Sequence, residues 1–144
     1  MNTKNLPVTF NLAVTLKSLE HAFKKSIAEL QTELPAESFG MLMITYFYQD
    51  VIQQDIAEMI KKDKSAVLRQ VDLLESKGLV RRQVDEHDRR KNIIAITDKG
   101  KEIAQTLMKK EHELFLSLSQ GVDEQEMKTF LKVLATLRNN ARKA

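Results

Sequence analysis

The sequence predicts a mainly α-helical chain with a small β-hairpin wing: a winged helix-turn-helix flanked by N- and C-terminal dimerisation helices. Three observations predict it. From Asp63 to Thr97 a capped helix, a Lys-Gly stop, two β-like runs and a charged tip follow in the order helix, turn, strand, loop, strand. Four glycines and two prolines in 144 residues leave little to interrupt helices elsewhere. Apolar seams at helical spacing run along both ends of the chain.

Met1 to Pro7 reads as a loose lead-in. From Val8 the positions Leu12, Leu16, Leu19, Phe23, Ile27 and Leu30 recur at spacings of four and three, an a/d-like seam. A seam of that length on a terminal helix needs a partner helix. Packing within the same subunit is one answer, but a small winged-helix domain would leave much of the stripe uncovered, which favours a subunit interface. Gln31 to Leu34 breaks the helix, and Pro35 suits the first turn of the next. That helix has Phe39, Leu42, Met43 and Phe47 on one side and Met41, Ile44, Tyr46 and Tyr48 beyond it, so it should be central. The tyrosine hydroxyls would each need a partner if buried. Val51 to Ile60 reads as the first helix of the helix-turn-helix, with Ile52, Ile56, Met59 and Ile60 inward and small Ala57 where the second helix crosses. Lys61-Lys62 makes the turn.

Asp63 then caps a helix whose apolar stripe is Val67, Val71 and Leu74, with Ser65, Arg69 and Asp72 opposite. Lys77-Gly78 stops it: a cation at the negative end of the dipole, then a glycine free to turn left-handed. Leu79 to Val84 and Asn92 to Thr97 are the strands, and residues 85–91 are the tip. Thr97 caps a helix running to about Leu118, with Ile103, Leu107, Met108, Leu114, Phe115 and Leu118 apolar. Gly121 interrupts it. Asp123 starts the last helix with a capping box to Glu126 and staple positions at Val122 and Met127. Met127, Phe130, Leu131, Leu134 and Leu137 line that helix, and the end from Arg138 is polar. The expected organisation is a helical dimerisation region, residues 1–34 and 101–144, around a winged helix-turn-helix at 35–100. Leu12, Leu16, Leu19, Phe23, Phe115, Phe130 and Leu134 are the expected dimerisation residues.

Charge points to nucleic acid. Between Lys61 and Lys91 ten cations meet six anions, a local +4, while the whole chain carries +3. The positive field is therefore concentrated on the helix and wing. A solvated charged face is the ordinary meaning of such a run; its coincidence with the helix–hairpin order favours DNA.

The residues that carry chemistry follow from this layout. The Lys64 to Ser76 helix is the candidate for the major groove, where each base pair shows a distinct donor–acceptor pattern. Arg69 suits a bidentate contact to guanine. Ser65 and Gln70 can bond bases or phosphate, and Lys64 stands where helix N–H groups favour phosphate. Leu68 cannot hydrogen-bond; it either meets a thymine methyl or packs inward. Arg81 and Arg82 alternate faces of their strand, so at most one points at DNA. Arg89, Arg90 and Lys91 on the tip suit phosphate and the narrow minor groove.

Other classes find less support. Without cysteine there is no disulfide, thiolate nucleophile or cysteine redox switch. No apolar run nears the roughly 18 residues of a membrane span, and the N-terminus lacks a signal-peptide core, so a cytoplasmic location is expected. His21, His87 and His112 are scattered, and no Ser-His-Asp set, phosphate loop or paired-carboxylate signature stands out, so no enzyme and no cofactor are expected. His112 with Glu111 and Glu113 offers too few ligands for a metal to be expected. The alternative function is a winged-helix protein-interaction module without a specific operator.

The stretch S-A-V-x-R-x-V-D-x-L-E-x-K-G-L-V-x-R from Ser65 to Arg82, D-R-R at Asp88 to Arg90, and I-T-D-K-G at Ile96 to Gly100 together resemble the multiple-antibiotic-resistance regulator (MarR) family of bacterial winged-helix transcription factors. The close match covers roughly Gln54 to Gly100. Leu68 departs from it, standing where the family usually has a hydroxyl residue, and Gln53-Gln54-Asp55-Ile56-Ala57 replaces a threonine-glutamine and Leu-Ala pattern. The resemblance implies an intertwined homodimer of triangular outline on an inverted-repeat operator, usually as a repressor. It implies that Arg90 enters the minor groove and that Asp88 supports the wing loop. It also implies a small-molecule effector bound between bundle and winged helix, for which Phe10, His21, Tyr46 and Tyr48 are the nominated residues.

Overall fold

The computed structural model describes residues 6–30, 34–48, 51–60, 63–84 and 91–143. In order they form α1 (Val8–Ala28), α2 (Ala36–Phe47), β1 (Val51–Ile52), α3 (Gln53–Ile60), α4 (Lys64–Ser76), β2 (Val80–Val84), β3 (Asn92–Ile96), α5 (Asp98–Leu118) and α6 (Glu124–Ala141). Two compact units divide the chain, Met1–Glu111 and His112–Ala144.

The core of the first unit is built around α2. Phe39, Met41 and Leu42 are buried there with Ile56 of α3, the α4 stripe Val67, Val71 and Leu74, Leu79 and Val80 at the start of β2, Ile94 of β3, and Ala104 and Leu107 of α5. Thr45, buried on α2 like Ser38, donates its hydroxyl back to the Leu42 carbonyl at 2.8 Å, so its polar group is satisfied inside its own helix. The α1 seam divides. Ile27 is buried and Phe23 and Leu30 pack against this core, whereas Leu12, Leu16 and Leu19 are exposed. Phe23, expected among the dimerisation residues, is half-buried and packs in part against its own chain's core. Lys110 of α5 pairs with Glu29 just past α1 at 2.8 Å, which holds that end of α1 to the middle of α5.

The sheet is three-stranded and antiparallel, ordered β1-β3-β2. Val51 pairs with Ile94 and Ile52 with Ile93, while Val80 to Val84 pair with Ile96 to Asn92. This corrects the expected helix from Val51. The helix of the helix-turn-helix begins at Gln53, and the two residues before it are a strand. A two-residue strand has no period of its own, and its partner lies far along the chain, so the pairing overrides local pattern. Met59, expected inward, is exposed, as is Phe47 of α2. Pro35 stands at the N-cap of α2 rather than in its first turn.

The punctuation of α4 and α5 is local chemistry. Asp63 accepts the Ala66 N–H at 2.8 Å. At the other end Gly78 adopts φ +70°, and the Leu79 and Gly78 N–H groups bond the Leu74 and Glu75 carbonyls, each at 2.9 Å. That is a Schellman stop, whose left-handed backbone favours a residue without a Cβ. Thr97 ties α5 to this turn. Its N–H donates to the Leu79 carbonyl at 3.0 Å, its hydroxyl donates to the Gly78 carbonyl at 2.7 Å, and the same oxygen accepts the Gly100 N–H at 3.0 Å. Gly100 is buried, and a Cβ there would lie 2.1 Å from the Leu79 carbonyl oxygen.

In the second unit, Gly121 turns the chain at φ +88° and Asp123 makes the expected capping box with Glu126, 2.8 and 2.9 Å in the two directions. No residue of α6 is buried: Phe130, Leu131, Val133, Leu134 and Leu137 are all exposed.

Candidate nucleic-acid interface

Burial on one side of α4 decides what its other side offers. Val67, Val71 and Leu74 each have 0% exposure. With those three held in the core, the helix cannot rotate, and Lys64, Ser65, Leu68, Arg69 and Asp72 face outward. Gln70 is half-buried at the margin. Leu68 is 44% exposed, so of its two expected placements the inward one is excluded. At the helix start the Asp63 carboxylate takes the Ala66 N–H, the cap expected there, so Lys64 stands beside an N-terminus with one amide already occupied.

Arg82 is the residue that sequence reasoning left undecided. It sits two places on from buried Val80, on the same face of β2, and its guanidinium bonds both Asp72 and Glu75 of α4. Glu75 also accepts the Arg82 backbone N–H at 3.0 Å. Because β2 is an edge strand, that carboxylate closes an outward-pointing amide of the sheet. Burial opposes the Arg82 charge, but the bond to Asp72 and the charges of Glu75 and Asp72 outweigh it and hold its pKa above the usual arginine value. The consequence reaches the interface. Asp72 shares the outer face of α4, and its negative charge is met by Arg82 rather than left to repel phosphate. Arg81 lies on the opposite face, exposed, where its guanidinium meets the Gln83 side-chain oxygen at 2.8 and 2.9 Å with the amide turned to accept. No periodicity in the sequence distinguishes Arg81 from Arg82; the pairing depends on how β2 returns along α4.

The hairpin closes through Val84 and Asn92. Lys91 is exposed at the foot of β3. Asp88, Arg89 and Arg90, expected to form the wing tip, lie outside the described residues, as does His87.

The residues nominated for an effector are dispersed over two helices: Phe10 and His21 are exposed on α1, Tyr46 is half-buried on α2, and Tyr48 is exposed just beyond it. An open groove of about 440 Å³ runs along Asp123, Gln125, Glu126, Thr129, Phe130 and Val133, and none of the four borders it. Of the expected dimerisation residues, Phe115 is half-buried, and Phe130 and Leu134 are exposed. Among the described residues no group of three or more histidine or carboxylate side chains is placed to hold a metal, and no helix is long and apolar enough to cross a membrane.

Comparison with known proteins converges on one family. The model of the MarR family matches residues 34–91. The uncharacterized HTH-type transcriptional regulators YdgJ and YybA of Bacillus subtilis are similar to this chain. YdgJ is 29% identical over 112 residues, covering 78% of the chain and 68% of YdgJ. YybA is 30% identical over 109 residues, covering 75% of the chain and 72% of YybA. Among solved structures, that of MarR superposes with a TM-score of 0.85 at 24% identity, covering 99% of this chain and 96% of MarR. A MarR-family regulator from Listeria monocytogenes complexed with a 26mer DNA superposes with a TM-score of 0.82 at 18% identity, covering 94% and 89%.

Proposed function

This chain belongs to the MarR family of HTH-type transcriptional regulators, and from that membership we propose that it binds an inverted-repeat DNA operator as a homodimer, α4 in the major groove and the wing in the minor groove. The observation that carries the reading is the outer face of α4: Lys64, Ser65 and Arg69 exposed on a helix fixed from behind by three fully buried residues. A helix so held presents its side chains to base edges from a backbone that is already ordered. Arg69 bonds a guanine, Lys64 and Lys91 bond phosphate, and Ser65 and Gln70 bond either. On the tip Arg90 enters the minor groove and Asp88 steadies the loop, as the family resemblance implies, and Arg89 bonds phosphate.

Uncovered apolar surface supports the dimer. α1 exposes Leu12, Leu16 and Leu19, and α6 exposes Phe130, Leu131, Leu134 and Leu137. Stripes of that kind on a water-soluble chain mark an interaction surface, and a second copy supplies a matching one by symmetry. Two recognition helices then address half-sites about one helical turn, 34–36 Å, apart. Repression by occupying a promoter, released by a small-molecule effector, completes the reading. An effector acts only through unequal affinity for the DNA-competent and incompetent states. The reading contains no catalytic step, metal or cofactor.

The test is binding to DNA from upstream of the gene, wild type beside Arg69→Ala and Arg90→Ala, over a salt series. Affinity that falls steeply with salt and is weakened in both variants supports the reading. Salt-independent binding to a protein partner, with none to DNA, would replace it with the interaction-module alternative.

A further inference from the structure

Leu68 is the one apolar side chain on the outer face of the first two turns of α4, 44% exposed while the stripe behind it is fully buried. Its neighbours along that face, Lys64, Ser65, Arg69 and Asp72, are all polar and exposed. Scattered exposed leucines are common and mean little by themselves. This one stands in the N-terminal half of the helix that the reading above assigns to the major groove, where recognition helices meet base edges. It cannot bond phosphate or any base donor or acceptor. The group in the major groove that suits it is the C5-methyl of thymine, the apolar mark distinguishing that base. Asp72, one turn further along, would suit a cytosine amino group, but its carboxylate is held by Arg82.

We propose that Leu68 is a specificity-determining residue that reads a thymine methyl in each half-site, next to the guanine read by Arg69. The inference rests on the DNA-binding reading of α4. Apolar contact in place of a hydrogen bond also predicts its size: burying one methyl group is worth about a fourfold change in affinity per half-site.

The experiment separates the methyl from everything else on the base. An operator is selected in vitro for the full-length wild-type protein from a random duplex library. Each thymine is then replaced in turn by deoxyuridine, which keeps the base pair and removes only the methyl. Wild type and Leu68→Ala are titrated on each duplex. The variant changes an exposed position to a strong helix former, and circular dichroism confirms its helix content. The expected result is one symmetric position per half-site where wild type loses about fourfold and Leu68→Ala loses nothing. Two results overturn the proposal while leaving DNA binding intact: wild type indifferent to every replacement, or Leu68→Ala as sensitive as wild type at the same position. If the library yields no operator for the wild type, the underlying DNA-binding reading fails and this inference fails with it.

Discussion

Arg69 and Arg82 carry the same charge within a few ångströms of one helix and do different work. Arg69 faces solvent, where its charge is available to DNA; Arg82 is spent on Asp72 and Glu75. Arg69→Ala is expected to cost about 1–3 kcal/mol of discrimination at a guanine and to relax specificity at that position alone, which titration of single-base operator variants checks. Arg82→Met leaves two carboxylates beside the interface unpaired. It is expected to lower stability by about 1–2 kcal/mol, between the values for exposed and buried pairs, and to weaken DNA binding as well. Adding Asp72→Asn to that variant should restore part of the binding, because the loss is repulsion of phosphate and not a missing contact. Glu29 gives a pH signature. The Lys110 hydrogen bond and charge hold its carboxyl below the usual 4.5. A depressed folded-state pKa means the ionised form favours folding. The benefit is therefore complete above the ordinary value and drains away as pH falls through the lowered one. Wild type should be slightly more stable than Glu29→Gln at pH 7, and acid titration of both should make the difference vanish; the pair is exposed, so the effect is small.

At the scale of elements, the junction of α4, β2 and α5 is where the fold is least tolerant. Thr97 spans the turn at Gly78 and Leu79, and the first turn of α5 passes so close that only glycine fits at position 100. The Leu79 carbonyl that a Cβ would strike is the one that accepts the Thr97 N–H, so it cannot move aside without breaking that bond. Gly100→Ala is therefore expected to destabilise by about 1–3 kcal/mol even though alanine is the better helix former, measured by urea unfolding. The capping box of α6 makes a milder demand. Asp123→Ala should cost about 1 kcal/mol, seen as a lower melting temperature.

For the whole molecule, the question is what covers the exposed apolar stripes of α1 and α6. If a second copy does, then Leu16→Glu together with Leu134→Glu should shift sedimentation from dimer to monomer. Each charge would otherwise have to be buried unpaired, a loss that neither contact area nor a conformational adjustment can offset. The same variant should bind a full operator no better than a half-site, since the link between the two recognition helices is gone.

The sequence alone recorded the order of the helices, the caps of α4 and α6 and the outward face of α4, because these depend on neighbours within a turn: the Asp63 and Asp123 carboxylates, Gly78 after Lys77, and the three-four spacing of Val67, Val71 and Leu74. It also carried enough of the family pattern, from Ser65 to Gly100, to indicate what the helix and hairpin are for. The rest was settled by contacts made on folding. Val51 and Ile52 became a strand because β3 pairs with them; Phe23 turned in part to its own core; Arg82 rather than Arg81 clamped α4; and Gly100 proved sterically obligatory. Each of these depends on groups distant in the chain that meet only after folding, and no local period records such a meeting.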